Sequence, residues 1–172
     1  MSKTLIAFFS LAGETYVNGH IENRPVGNTE VIARKIQDRI GGDMFHIATR
    51  QPYPHDHYEI IEQAKVELHE NARPELNDKV EDMSQHNTVI LGYPNWWGTM
   101  PMAVKTFLEE YDFSGKTIIP YCTHEGSALG HSVSDMKKLC PDSTILDGTA
   151  IHGADVQFAD REVNQIVNLA NR

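Results

Sequence analysis

Two hydrophobic patterns alternate along this chain. Residues 5–9 (LIAFF) are an unbroken apolar run, too short for a helix and suited to a strand buried on both faces. Over residues 29–40 the period changes: Ile32, Ile36 and Ile40 recur every fourth position and share one helix face. Gly41 and Gly42 stop that helix. A short strand is predicted over residues 43–47. Asp56, with Glu59 three positions on, forms a capping-box pattern. The helix it starts runs to about residue 71, with Ile61, Ala64 and Leu68 inward. Residues 88–93 (TVILGY) return to the strand pattern. A helix over residues 102–110 buries Val104, Phe107 and Leu108, and a strand follows over residues 117–121. Pro120 cannot donate to a ladder and is expected at that strand's end. A helix over residues 131–139, a short strand over 144–146 and a last helix complete the series. The last helix carries the stripe Val163, Ile166, Val167 and Ala170.

Five strands alternating with five helices predict an α/β fold whose parallel sheet is covered on both faces. Right-handed crossovers favour three layers, α/β/α, doubly wound. The 172 residues fit one domain, 1–172, long enough to bury a core without staples.

Composition narrows the function classes. The net charge of −9 argues against a nucleic-acid partner, whose phosphates require Lys and Arg. It suits a basic protein partner, or serves solubility alone. Cys122 and Cys140 form neither a C-x-x-C pair nor a metal-ligand spacing, and read as reduced thiols. The N-terminal apolar run reads as a first strand rather than a signal peptide, and no stretch reaches the length of a membrane span. A cytoplasmic protein without a membrane partner, monomer or homodimer, is expected.

Residues 88–98, TVILGYPNWWG, carry the most chemistry. The strand ends in the polar turn Pro94–Asn95, and both tryptophans, Trp96 and Trp97, follow before Gly98. Paired indoles at the carboxyl end of a sheet build a flat apolar wall where open α/β sheets bind ligands. Two adjacent residues do not easily point into one core, and loops lie at the surface, so at least one indole is expected to face a planar ligand. The plainer alternative is core packing.

The first strand ends at Ser10, and the first helix opens with GNTE, residues 27–30. Gly27 permits close backbone approach, Asn28 is a candidate cap, and Thr29 supplies a hydroxyl. With the first amides of the helix, these neutral donors suit an anion. An ordinary N-cap has the same sequence.

With the tryptophan loop, this pattern resembles the flavodoxin-like family of FMN-binding proteins, whose loop after the first strand reads Ser/Thr-x-Thr-Gly-x-Thr. The resemblance is to short, mostly bacterial members with a split phosphate loop, a WWG loop and a THxGS-type loop, and it covers nearly the whole chain. It implies a five-stranded sheet of order 2-1-3-4-5 and the cofactor FMN. It also implies that Ser10, Asn28 and Thr29, with neighbours Leu11, Ala12 and Gly27, hold the phosphate. Pro94, Asn95, Trp96, Trp97 and Gly98 would lie along the isoalloxazine. Thr123, His124, Gly126 and Ser127, from THEGS, would form the third loop. His124 is then the candidate catalytic residue, as a proton donor or positive neighbour of the reduced flavin. An exposed loop histidine is the alternative, and Glu125 beside it would act in the opposite electrostatic sense. The phosphate loop departs from the family by an insertion over residues 13–26. It lacks an apolar period and is expected as a flap over the flavin, with Tyr16 as a lid residue, or as a surface loop.

Other constellations fail. Ser127 lies in G-S-A-L-G, not in a hydrolase G-x-S-x-G elbow. His55 and His57 lack a third metal ligand at suitable spacing, so no metal is expected. Tyr93–Pro94 replaces the Asp that a phospho-receiver needs, and no G-x-G-x-x-G follows the first strand. The leading expectation is a flavodoxin-like electron-transport protein acting through bound FMN, with a redox partner protein. The alternative is an oxidoreductase that passes hydride from NAD(P)H to a small acceptor such as a quinone, nitro or azo compound. No basic cluster for a nicotinamide 2′-phosphate is visible, and Arg24 or Arg50 is the candidate contributor. A cofactor-free binding module of the same fold is the third possibility.

Overall fold

The computed structural model describes residues 3–172. Its central sheet is parallel throughout. Strand β1 (Lys3–Phe8) lies between β4 (Asp43–His46) and β5 (His86–Pro94); β6 (Thr117–His124) lies beyond β5. The fifth position is shared by β7 (Thr144–Ile145) and β8 (Thr149–His152), both paired to β6. This is the expected order, 2-1-3-4-5, with the last strand in two pieces.

Alternation along the strands sorts side chains onto two faces. Leu5, Ala7 and Phe9 join Val89, Leu91 and Tyr93 in one buried cluster, which also holds Val104 and Phe107 of α3 (Met102–Glu110) and Met136 of α4 (Ser132–Leu139). Ile6, Phe8 and Ile90 join Ile32 and Ile36 of α1 (Asn28–Ile40) and Val163 and Ile166 of α5 (Asp160–Ala170) in the other. The sheet is therefore covered on both sides, as its continuous apolar runs require.

Four expectations are corrected. Pro120 sits inside β6, opposite Leu91, not at the strand's end. The carbonyls of Lys116 and Ile118 accept from β7 and its neighbour Leu146, so alternate residues of β6 face that side. Pro120 is next in that series. Its missing N–H falls in the gap between β7 and β8, where no ladder bond is forgone. Second, Asn28 does not cap α1. Gly27 holds the cap position, and Ser10 Oγ accepts from the Glu30 amide at 3.2 Å. A Cβ on Gly27 would meet Ser10 Oγ at 2.1 Å, so glycine is needed for the loop and helix to approach.

Third, residues 13–26 are not a plain surface loop. They form an antiparallel hairpin, β2 (Gly13–Val17) and β3 (His20–Arg24), turning at Asn18–Gly19 with φ of 51° and 87°. Asn-Gly is the residue pair that such a two-residue turn demands. Fourth, α2 (His57–His69) is capped by Asp56, whose side chain accepts from the Glu59 amide at 3.0 Å, but it buries Ile60 and Ala64 while Ile61 and Leu68 are only half-buried. Part of its apolar face looks into a cleft instead of the core.

Candidate functional site

The cleft opens at the carboxyl ends of β1, β5 and β6 and has a volume of about 610 Å³, within the range of small-ligand pockets. Three loops of the sheet form its floor. After β1, Ser10 and Leu11 line it together with Asn28 and Thr29 at the start of α1. Thr29 Oγ1 lies 2.7 Å from Thr123 Oγ1 of β6, and both residues are buried. A set of hydroxyls thus converges where the first-turn amides of α1 point out of the helix.

After β5, Trp97 and Gly98 form a tight turn with φ of 56° and 89°, closed by the Trp96 amide donating to the Thr99 carbonyl at 2.8 Å. Asn95 fastens this turn to the third loop. Its Oδ1 accepts from the Gly98 amide at 2.9 Å, its Nδ2 donates to the Ala128 carbonyl at 2.8 Å, and its amide donates to the Thr123 carbonyl at 2.9 Å. The two indoles have different duties. Trp96 is half-buried and packs edge-on against Phe9 and Tyr53 at 5.1 and 5.4 Å between centroids. Trp97 is 48% exposed, and its Nε1 donates to the Ile61 carbonyl of α2 at 3.0 Å. Both line the cleft. Core packing and a cleft-facing surface are combined in Trp96.

In the third loop Thr123, His124, Glu125 and Ser127 line the cleft. The Gly126 amide donates to His124 Nδ1 at 2.9 Å, which leaves the proton of the neutral ring on Nε2. His152 stands edge-on to His124 at 5.5 Å. Burial, and then the neighbouring His152, hold His124 below the ordinary histidine range. Burial raises the Glu125 carboxyl, opposed by His152, by the Asn18 amide and by Arg24. Burial also pushes up the Cys122 thiol, which is no candidate nucleophile.

The hairpin and α2 supply a second wall that the sequence reading caught only at Tyr16. Glu14, Thr15 and Tyr16 line the cleft with His57, Tyr58, Ile60, Ile61 and Ala64. Tyr16 stacks on His57 at 5.6 Å and 18°. Glu14 Oε2 accepts from the His57 amide at 2.8 Å, and Glu125 Oε1 accepts from the Asn18 amide at 3.2 Å. The hairpin therefore bridges α2 and the third loop. Of the expected site residues, Ala12, Gly27 and Gly126 stand outside the lining. Ala12 is exposed, Gly27 serves the loop–helix approach, and Gly126 orients His124. Arg50 pairs with Glu75 away from the cleft, while Arg24 reaches Asn28 at the start of α1. Among the described residues no helix is long and apolar enough to cross a membrane.

This architecture has relatives among solved structures. A protein described as a flavoprotein from Bacteroides eggerthii is 28% identical, with a TM-score of 0.79 over 100% of this chain and 99% of that one. A second, from Bacteroides uniformis, is 23% identical with a TM-score of 0.72 over 99% of each chain. A flavoprotein from Lactobacillus acidophilus, solved in complex with FMN, is 22% identical with a TM-score of 0.69 over 96% of this chain and 98% of that one. No curated protein matches the chain. The flavodoxin family matches residues 3–168, which is nearly the entire sequence, and the chain belongs to that family.

Proposed function

We propose that the cleft binds FMN and that the protein moves electrons through it. The observation that carries this reading is the meeting of two unlike surfaces in one cleft. One part of the lining offers neutral donors around the start of α1: Ser10, Asn28, Thr29 and, bonded to Thr29, Thr123. The other offers the apolar faces of Leu11, Trp96 and Trp97. A phosphate suits the first, because helix amides and hydroxyls bind anions without a counter-charge. A planar ring suits the second. The donor set therefore fits both ends of FMN. The bound cofactor would supply the redox chemistry, and the protein its binding, orientation and electrostatics.

The chain's own residues then have assignable duties. Ser10, Asn28 and Thr29 hold the phosphate end. Pro94 to Gly98 support the ring, and Asn95 locks that loop to the third. His124 presents a neutral ring with its proton on Nε2, and would offer that donor to a bound flavin. Membership of the flavodoxin family supports an electron-transport role, for which we propose a protein partner. A reductase role for a small acceptor is favoured by one observation, the wall of Tyr16, His57 and Tyr58 across the cleft.

Replacing Asn28 and Thr29 with Ala together should abolish stoichiometric FMN retention after gel filtration. Retained FMN would contradict the phosphate assignment. NADH or NADPH bleaching the flavin without a partner protein would favour the reductase. Bleaching only through a ferredoxin-type reductase would favour the carrier.

A further inference from the structure

Arg24 is the last residue of β3, and the cofactor site described above does not use it directly. Its side chain is 21% exposed. Nη1 donates to Asn28 Oδ1 at 2.7 Å and to the Gly153 carbonyl at 3.2 Å, and Nη2 donates to Glu22 Oε2 at 3.3 Å. A guanidinium carries donors only, whereas an asparagine amide carries an acceptor at one end and donors at the other. Arg24 therefore satisfies Asn28 in one orientation, with Oδ1 toward the guanidinium. The reversed amide would set donors against donors and lose a charge-assisted bond. Gly153 leaves room for that orientation, since a Cβ there would stand 2.7 Å from Asn28 Nδ2.

Asn28 is the first residue of α1 and lines the cleft. We infer that Arg24 is a positioning residue for the cofactor phosphate, fixing the Asn28 amide so that its donor end serves an anion at the start of α1. The inference rests on the FMN reading. An unpinned Asn28 can turn its carbonyl oxygen toward the phosphate, where acceptor meets acceptor. The guanidinium also brings a positive charge to a site of neutral donors, and Glu22 offsets part of it. The inserted hairpin is thereby more than a cover, because its final residue sets the polarity of a phosphate contact.

FMN and riboflavin share the ring and differ in the phosphate, so their dissociation constants, measured by flavin fluorescence quenching, separate the two ends of the site. Arg24→Ala should weaken FMN by about tenfold to a hundredfold, the scale of a charge-assisted hydrogen bond, and leave riboflavin within about twofold. Arg24→Lys, a donor only, should hold FMN near the wild-type value. Arg24→Gln, which can present either end to Asn28, should not. The Lys and Gln pair keeps a side chain in place and tests the inference even where Ala prevents folding. Tyr16→Ala loosens the hairpin without touching Arg24 and should shift both flavins alike. Equal losses of FMN and riboflavin in Arg24→Ala, or unchanged FMN affinity, would overturn the inference alone. A wild-type protein that binds neither flavin would overturn the FMN reading beneath it.

Discussion

The two walls of the cleft are held by different means. The sheet-borne wall grows from β1, β5 and β6, whose central residues are buried, and its hydroxyls at Ser10, Thr29 and Thr123 are buried too. The added wall, from the hairpin and α2, has Tyr16 at 39% and Tyr58 at 62% exposure. Its buried anchors are few, Val17 of β2 and Ile60 and Ala64 of α2, and the hairpin is latched by Glu14 on the His57 amide and Glu125 on the Asn18 amide. Such exposed polar contacts are each worth about 1 kcal/mol or less, far below the burial that fixes the sheet. A rigid wall suits the invariant task of holding a cofactor, and an adjustable one suits control of access. The fold thus divides its work between core and insertion.

The comparison breaks most visibly on the rigid side. Gly92 of β5 lies under the Tyr121 ring, and a Cβ there would meet Tyr121 Cζ at 2.1 Å with both residues buried. Gly92→Ala should cost about 3 kcal/mol, or about 6–12 °C in melting temperature, measured by thermal and denaturant unfolding. An unchanged midpoint would show that this wall yields easily. Asn95→Ala removes the side-chain bonds to Ala128 and Gly98. It should weaken FMN about tenfold with a stability loss of about 1–2 kcal/mol, checked by flavin titration beside unfolding. A loss of stability without loss of flavin would confine Asn95 to scaffolding.

On the adjustable side the effects are smaller and kinetic. Tyr16→Ala removes the stack on His57 and should cost under about 1 kcal/mol of stability while raising the FMN dissociation rate a few fold, read by stopped-flow. No change in that rate would deny the hairpin a part in access. The smallest effect is titration of His124. Its folded pKa lies below the unfolded one, through burial and then His152. The stability it contributes is present above the unfolded pKa and lost as the pH falls through the folded one. His124→Gln should flatten that decline in urea midpoints just below the ordinary histidine range. Glu125, raised by burial, works oppositely in the more acidic carboxylate range, because there the folded state holds the proton more firmly.

Legibility in the sequence followed burial. The runs at residues 5–9 and 88–93 and the isoleucine face of α1 were readable because core contact writes a period into sequence. The hairpin is not legible as structure because half the residues of β2 and β3, GETYV and HIENR, are exposed and the two strands carry no apolar alternation. Its Asn18–Gly19 turn was the one available signal. The inward face of α2 is legible only in part: Ala64 is buried as expected, whereas Ile61 and Leu68 are half-buried, because an apolar residue looks the same in sequence whether it meets a core or a cleft. The residue type of Asn28 favours capping, whereas Ser10, distant in sequence, accepts from the helix amide. The second piece of the fifth strand, β8, carries only Ala150 and Ile151 as apolar residues, too few to form a pattern.

An FMN site on the sheet-borne wall would show in the visible absorption spectrum of the purified protein after FMN is added and the excess removed by gel filtration. The expected result is one flavin per chain with bands shifted from those of free FMN. A colourless protein, with FMN recovered entirely in the small-molecule fraction, would contradict it.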